Sequence, residues 1–395
     1  EFLAETAIRT PDLVDELELS GYLRRSKTAE QTLKDLRLGA ADADQRLWLR
    51  RYHQTELMRI GLREIIRLAD FEQNLVELTA LADACLQYAL EVIMRQRRLR
   101  QPPLAIVGLG KLGGGEITYG SDLDVVFIAD DKARNLPELQ KVAVEVIELL
   151  TSPTEQGATF AVDARLRPDG EKGLLVNTLA AYEEYYRQRA QLWEIQALTR
   201  TRPVAGDFEL GEKFQKLAGE LTDFSKTQRS KVRSQRRAEP PHVGCYEKNW
   251  KAKVHEMRMR IEKERTPAGQ DELAIKTGRG GMMDAEFMAQ ALCLEHGWRE
   301  ANTLRALERG RDAAALPEAE EFIGNYRQLR RLEGILRRWS YEGETVLPDD
   351  PAPFYRVAVR CGFETADQFR LALARWRTGV REVYFKWFEV GTVGK

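Results

Sequence analysis

The stretch Gly120-Ser-Asp122-Leu-Asp124-Val-Val-Phe-Ile-Ala129 constrains this chain more than any other. A β-branched, apolar run bounded by turn residues reads as a strand. Side chains alternate along a strand, so Asp122 and Asp124 share one face while Leu123 and Val125 take the other. Strands disfavour aspartate, and two carboxylates this close raise the cost of ionising each other. A divalent cation relieves that repulsion. Hard oxygen donors suit Mg2+, which takes one or two carboxylates together with substrate phosphates. The plainer alternative is a solvated pair on an edge strand.

A third acid fits the same scheme. Thr159-Phe-Ala-Val-Asp-Ala-Arg-Leu-Arg167 alternates and is closed by Pro168-Asp-Gly170. The alternation predicts Asp163, Arg165 and Arg167 on one face, opposite Val162, Ala164 and Leu166. If this strand neighbours the first, three carboxylates stand beside two guanidinium groups. Asp122, Asp124 and Asp163 would then hold metal ions and carry the catalysis, while Arg165 and Arg167 take triphosphate oxygens bidentately. Ion pairing of the arginines with the acids themselves is the structural alternative.

Upstream, Gly108-Leu-Gly110-Lys-Leu-Gly113 follows the apolar run Leu104–Val107 and matches the dinucleotide fingerprint G-x-G-x-x-G, with Asp130 and Asp131 near the acidic position. A Rossmann site is nevertheless excluded. A parallel crossover needs a dozen or more residues, mostly helix, whereas the next strand starts near Leu123 and Gly114, Gly115, Thr118 and Gly120 fill the gap. A P-loop ending is also missing. Lys111, Ser121 and the backbone amides of Gly113 and Gly114 remain candidates to cradle nucleotide phosphates, since glycine permits close approach of the main chain.

Around this module the pattern is helical. Asp44–Arg98 has no proline and one glycine, Gly61, and Leu57, Ile60, Leu62, Ile65, Ile66 and Leu68 recur at roughly helical spacing. Pro102-Pro103 ends that block. Helices are predicted over Pro137–Leu150, Leu179–Thr201, Met282–His296 (after Gly278-Arg-Gly-Gly281) and Ala366–Phe388. The fold class is therefore α+β: a small mixed-sheet module, residues 102–222, between helical regions 1–101 and 223–395. Trp193, Trp339, Trp376, Trp387, Met257, Met259, Met282 and Met283 read as packing residues, and His242, His255 and His296 have no metal-ligand spacing.

Composition narrows the partners. Of 395 residues, 61 are Lys or Arg and 62 Asp or Glu, a formal net charge of −1, so no global attraction draws the chain to nucleic acid or membrane. The basic stretch 226–265 reads as a solvated helical face or linker, with a surface for an acidic partner or for nucleotide phosphates as the alternative. No apolar run approaches the roughly 20 residues of a membrane span. Four scattered cysteines argue against a disulfide scaffold and a structural zinc site, and point to a reducing cytoplasm. The opening Glu1-Phe2-Leu3 is unlike a signal peptide, and a first residue other than Met points to a piece of something longer.

The module resembles the nucleotidyltransferase superfamily, in which a Gly-rich turn precedes a strand with Asp-x-Asp and a later strand adds a third Asp. Gly108-Leu-Gly-Lys-Leu-Gly-Gly-Gly-Glu116, Tyr119-Gly-Ser-Asp-Leu-Asp124 and Val162-Asp-Ala-Arg-Leu-Arg-Pro-Asp-Gly170 are similar to the glutamine synthetase adenylyltransferase family. So are Trp193-Glu-Ile-Gln-Ala-Leu-Thr-Arg200, Arg202-Pro-Val-Ala-Gly-Asp207, Ile275-Lys-Thr-Gly-Arg-Gly-Gly-Met-Met-Asp-Ala-Glu-Phe287 and the opening Phe2-Leu-Ala-Glu-Thr-Ala-Ile-Arg-Thr-Pro11. Val232–His255 departs from the family pattern. The resemblance implies a protein adenylyltransferase that moves AMP from ATP to a tyrosine of glutamine synthetase with two Mg2+ ions. PII, the nitrogen-signalling protein, would be its regulator. Family members pair an adenylylating with a deadenylylating module, and the single module here looks more like the former. Phosphorolytic removal of AMP, or a non-catalytic nucleotide- or regulator-binding role, stays open. Asp163 would assist proton removal, and Asp284 and Glu286 are acids typical of the family, with charges at a helix N-terminus as the other reading.

Overall fold

The computed structural model describes residues 2–225, 249–341, 343 and 345–390. They form two compact units, the first of residues 1–185 with 200–218, the second of 186–199 with 219–395.

In the first unit five short strands make one mixed sheet: β1 (Ala105–Gly108), β2 (Leu123–Ala129), β3 (Val162–Asp163), β4 (Val176–Thr178) and β5 (Arg202–Gly206). The order is β3-β2-β1-β5, with β4 also on β2. β1 runs antiparallel to β2 and β5, while β3 and β4 lie parallel to β2. The antiparallel β1–β2 pair, joined by a short turn and the one-turn helix Gly110–Gly114, bears out the rejection of a Rossmann crossover. β1 and Leu123 and Val125–Ala129 of β2 are fully buried, as continuous apolar runs flanked on both sides require.

Helices Gln45–Ile65, Phe71–Gln96 and Leu136–Thr151 are started as the chemistry predicts. Asp44 and Asp70 accept backbone N–H bonds at the first two, Asp70 within a capping box with Gln73. Asn135 starts the third, with Pro137 in its first turn. The boundary expected near residue 101 falls inside this unit, because Phe71–Gln96 packs on both β5 and Leu136–Thr151. Of the apolar series at roughly helical spacing, Leu57 and Ile60 are buried but Ile65, Ile66 and Leu68 are exposed where the helix ends. The first two helices of this set are joined by buried charge instead. Glu77 accepts from Arg59 and Arg63, Glu56 accepts from Arg59 and Lys27, and the two arginines also donate to the carbonyls of Arg25 and Leu23.

The second unit is helical: Trp250–Arg265, Met282–His296, Thr303–Asp312, Ala319–Ser340, Pro351–Arg360 and Ala366–Val390. Their apolar faces share one core that includes Met282, Met288, Phe322, Phe354, Phe369 and Tyr384, with Met257, Met259, Met283, Trp339 and Trp376 packed against it. Trp387 is buried as expected, but Trp193 is 42% exposed and is not a core residue. His255 packs among Tyr384, Phe385 and Phe388, and His296 stacks on Trp298. Residues 226–248, most of the basic stretch and including His242 and Cys245, lie outside the described residues. No helix among the described residues is long and apolar enough to cross a membrane, and Cys85, Cys293 and Cys361 are free thiols.

Candidate active site

The sheet register builds the site. β3 lies parallel to the start of β2, with Leu123 opposite Val162 and Asp124 opposite Asp163. Asp122 immediately precedes β2. One carboxylate oxygen from each of Asp122, Asp124 and Asp163 lies within 4.8 Å of the other two. Asp122 is exposed and the other two are half-buried. Like charges set directly opposite one another oppose strand pairing, so this arrangement needs a counter-charge.

β1 supplies the wall beside these acids. Leu109 N–H donates to the Asp124 carbonyl at 2.9 Å, extending the ladder past Gly108. Gly110 then turns the chain with φ +52°, and a Cβ there would run into Asp124 Oδ2. The glycine therefore does two things at once: it adopts a left-handed conformation and leaves room for the carboxylate. Arg202 from β5 fixes the turn from behind by gripping both oxygens of Asp83, at 2.8 and 2.9 Å, and donating to the Leu112 carbonyl at 3.0 Å. A buried ion pair between Arg200 and Glu116 holds the other end of the loop. Gly110 and Arg202 were not singled out from the sequence as site residues, although both stand in motifs quoted above.

The expected strand face is not formed, and its neighbours have local packing roles. The alternating strand 159–167 shrinks to the two residues of β3, so Asp163, Arg165 and Arg167 do not share a strand face. Pro168 and the left-handed Asp169 and Gly170 turn the chain away. Arg167 donates to the carbonyls of Ala164, Gly173 and Glu171 and so braces this loop. Gly113 donates its N–H to the Leu109 carbonyl, and a Cβ there would strike the Arg200 carbonyl, so close packing calls for glycine here. Gly114 is buried inside the same short helix.

Ser121 and Lys111 meet through Thr118. The Thr118 N–H donates to Ser121 Oγ at 3.2 Å, the two hydroxyls lie 2.9 Å apart, and Lys111 Nζ donates to Thr118 Oγ1 at 3.3 Å. Lys111 is half-buried within the Gly-rich turn, and Ser121 lies next to Asp122 in sequence.

Arg165 takes the alternative role. Its Nε donates to both oxygens of Asp163 at 3.0 and 2.9 Å, and its backbone N–H donates to one of them at 2.8 Å. The hydrogen bond from the Arg165 side chain, opposed by partial burial, holds the Asp163 carboxyl below the usual aspartate range. An acid so stabilised in its charged form is a better ligand than proton acceptor. The donor set is three hard carboxylate oxygens from adjoining segments, unobstructed because position 110 has no Cβ, and it fits divalent cations such as Mg2+.

The second unit carries acids of another kind. Asp284 is fully buried, pairs with Arg258 and Arg381, and accepts from the Gly280 N–H at 3.0 Å. It fastens three segments together.

The chain's first 217 residues match the family model of glutamate-ammonia ligase adenylyltransferase, and residues 248–388 match that of GlnD PII-uridylyltransferase. Curated relatives include three bacterial proteins, each named bifunctional glutamine synthetase adenylyltransferase/adenylyl-removing enzyme. The Streptomyces avermitilis protein is 30% identical over 90% of this chain and 35% of its own length. The Pseudomonas aeruginosa protein is 30% identical over 96% and 40%, and the Mycobacterium tuberculosis protein 36% identical over 66% and 26%. The chain thus spans about a quarter to two-fifths of the relatives it matches. A family model that covers more than half of the chain, together with the sheet that carries its acids, makes this chain a member of the glutamate-ammonia ligase adenylyltransferase family.

Proposed function

We propose that this chain is a nucleotidyltransferase that moves AMP from ATP to a tyrosine of glutamine synthetase and releases pyrophosphate. The observation that carries the reading is the convergence of Asp122, Asp124 and Asp163, one exposed and two half-buried, beside a Gly-rich turn. The names of the relatives supply the protein substrate.

Asp122, Asp124 and Asp163 would hold two Mg2+ ions. Bound there, the ions supply a lowered pKa at the attacking hydroxyl and neutralise charge at the α-phosphate. In the transfer, the tyrosyl oxygen bonds to the α-phosphorus as the bond to the bridging oxygen breaks, and pyrophosphate leaves with that electron pair. The tyrosyl proton passes to solvent or to a neighbouring carboxylate. The chain's own work is positioning. Gly110 leaves Asp124 room to turn inward, Arg202 and Arg200 fix the loop, and Lys111, with Ser121 beside the acids, is the candidate for phosphate contact. No covalent enzyme intermediate is required.

Phosphorolytic removal of AMP is the second reading, since the relatives' names carry both activities. A regulatory contact with PII and a cytoplasmic setting complete the proposal. The test uses ATP labelled at the α-phosphate, Mg2+ and purified glutamine synthetase. Label on the synthetase that vanishes with Asp122→Asn/Asp124→Asn supports the assignment, and equal label with both proteins sinks it. Conversion of AMP-modified synthetase and phosphate to ADP identifies the reverse activity.

A further inference from the structure

Asp163 has two demands on it. It belongs to the trio whose oxygens converge within 4.8 Å, yet both of its oxygens accept hydrogen bonds from Arg165. A guanidinium and a divalent cation cannot both take the same carboxylate lone pairs at full strength. Arg165 also lies near the charge of Asp122. In this structure the arginine thus supplies counter-charge to Asp163.

The two arginines of this loop differ in freedom. Arg167 is tied to three backbone carbonyls, and releasing it would open the loop. The side chain of Arg165 is 67% exposed and directs its hydrogen bonds to Asp163. An ion pair with one exposed partner is cheaper to break than a buried one, and a guanidinium matches phosphate as well as it matches carboxylate.

We propose that Arg165 is an exchanging positioning residue: it neutralises Asp163 before ligands bind, and moves onto the triphosphate when a divalent cation takes the carboxylate. This rests on the reading of the three acids as a metal site. Its consequence is coupling. Each ligand assists the other, because nucleotide removes the competitor for Asp163 while metal frees the arginine for phosphate, and the two effects must be equal in size.

The test is Mn2+ binding to the whole chain, followed by the electron paramagnetic resonance of free Mn2+, with and without α,β-methylene-ATP. Wild type should bind Mn2+ more tightly when the nucleotide is present. Arg165→Gln should bind Mn2+ alone roughly two- to fivefold more tightly than wild type, the range an exposed ion pair allows. The nucleotide should then add less to that affinity. Arg165→Lys, which keeps the charge without the fork, should fall between them. Simple repulsion between arginine and cation would tighten Mn2+ binding equally with and without nucleotide, and that result, or no tightening at all, overturns the exchange. Failure of the site itself looks different: Mn2+ would not bind to wild type, or would bind equally to Asp122→Asn/Asp124→Asn, and both proposals would fall together.

Discussion

Two acidic clusters, one in each unit, are handled in opposite ways. In the second, Asp284 is inaccessible to solvent and meets two arginines and a backbone N–H. In the first, Asp122, Asp124 and Asp163 meet one another at the end of β2, half-open, with one exposed arginine among them. A buried carboxylate must be paired where it stands, and removing it leaves charges stranded. A cluster of accessible carboxylates is instead a charge deficit that a diffusible cation can fill. Acidic residues alone therefore say little about a site. Their partners decide the role.

The largest effect should separate the two kinds of acid by readout. Asp122→Asn/Asp124→Asn removes several kcal/mol of charge stabilisation and should lower AMP transfer by roughly a thousandfold, at about 1.4 kcal/mol per tenfold. Its thermal midpoint should stay level or rise, because repulsion is relieved. A loss of fold together with activity would erase the contrast.

Asp284→Asn should do the reverse. It leaves buried Arg258 and Arg381 with Glu262 as their one remaining carboxylate among the described residues and should cost about 3 kcal/mol in urea unfolding followed by tryptophan fluorescence. A cost below about 1 kcal/mol would mean that the buried trio is not what fastens these helices.

Much of this contrast was legible in the sequence on one side only. Asp122 and Asp124 stand out beside an apolar, β-branched run, and the helices expected over 137–150, 282–296 and 366–388 are present as Leu136–Thr151, Met282–His296 and Ala366–Val390. The buried partnerships were not legible. Arg59, Arg63, Arg258 and Arg381 sit in helices where charge reads as a solvent face, and only tertiary packing reveals that it is not. β4 was too short to see, at three residues, and β5 carries Pro203, which demotes a run read from sequence; β5 is indeed at the sheet edge. The alternation in 159–167 overstated β3 because the turn chemistry of Pro168-Asp-Gly170 acts earlier than expected.

A smaller effect sharpens the role of the wall beside the acids. Gly110→Ala places a Cβ against Asp124 Oδ2 in a left-handed conformation that costs about 1–2 kcal/mol. It should weaken Mn2+ binding and AMP transfer together. Unchanged Mn2+ affinity would show that Asp124 does not depend on this glycine.

The smallest effect is a titration. Arg165 depresses the Asp163 pKa, so the stability this pair contributes is present above the usual aspartate range and is lost as pH falls through the lowered folded value. Arg165→Gln should move the Asp163 carboxyl upward in a carbon-detected NMR titration and flatten the acid limb of the stability profile over that window. A carboxyl that titrates unchanged would show that the ion pair is absent in solution.

The most direct test is anomalous diffraction from crystals of the chain grown with Mn2+ and α,β-methylene-ATP. The account predicts Mn2+ peaks bounded by carboxylate oxygens of Asp122, Asp124 and Asp163, with the nucleotide phosphates on the open side. Peaks elsewhere, with these three side chains bare of metal, would contradict it.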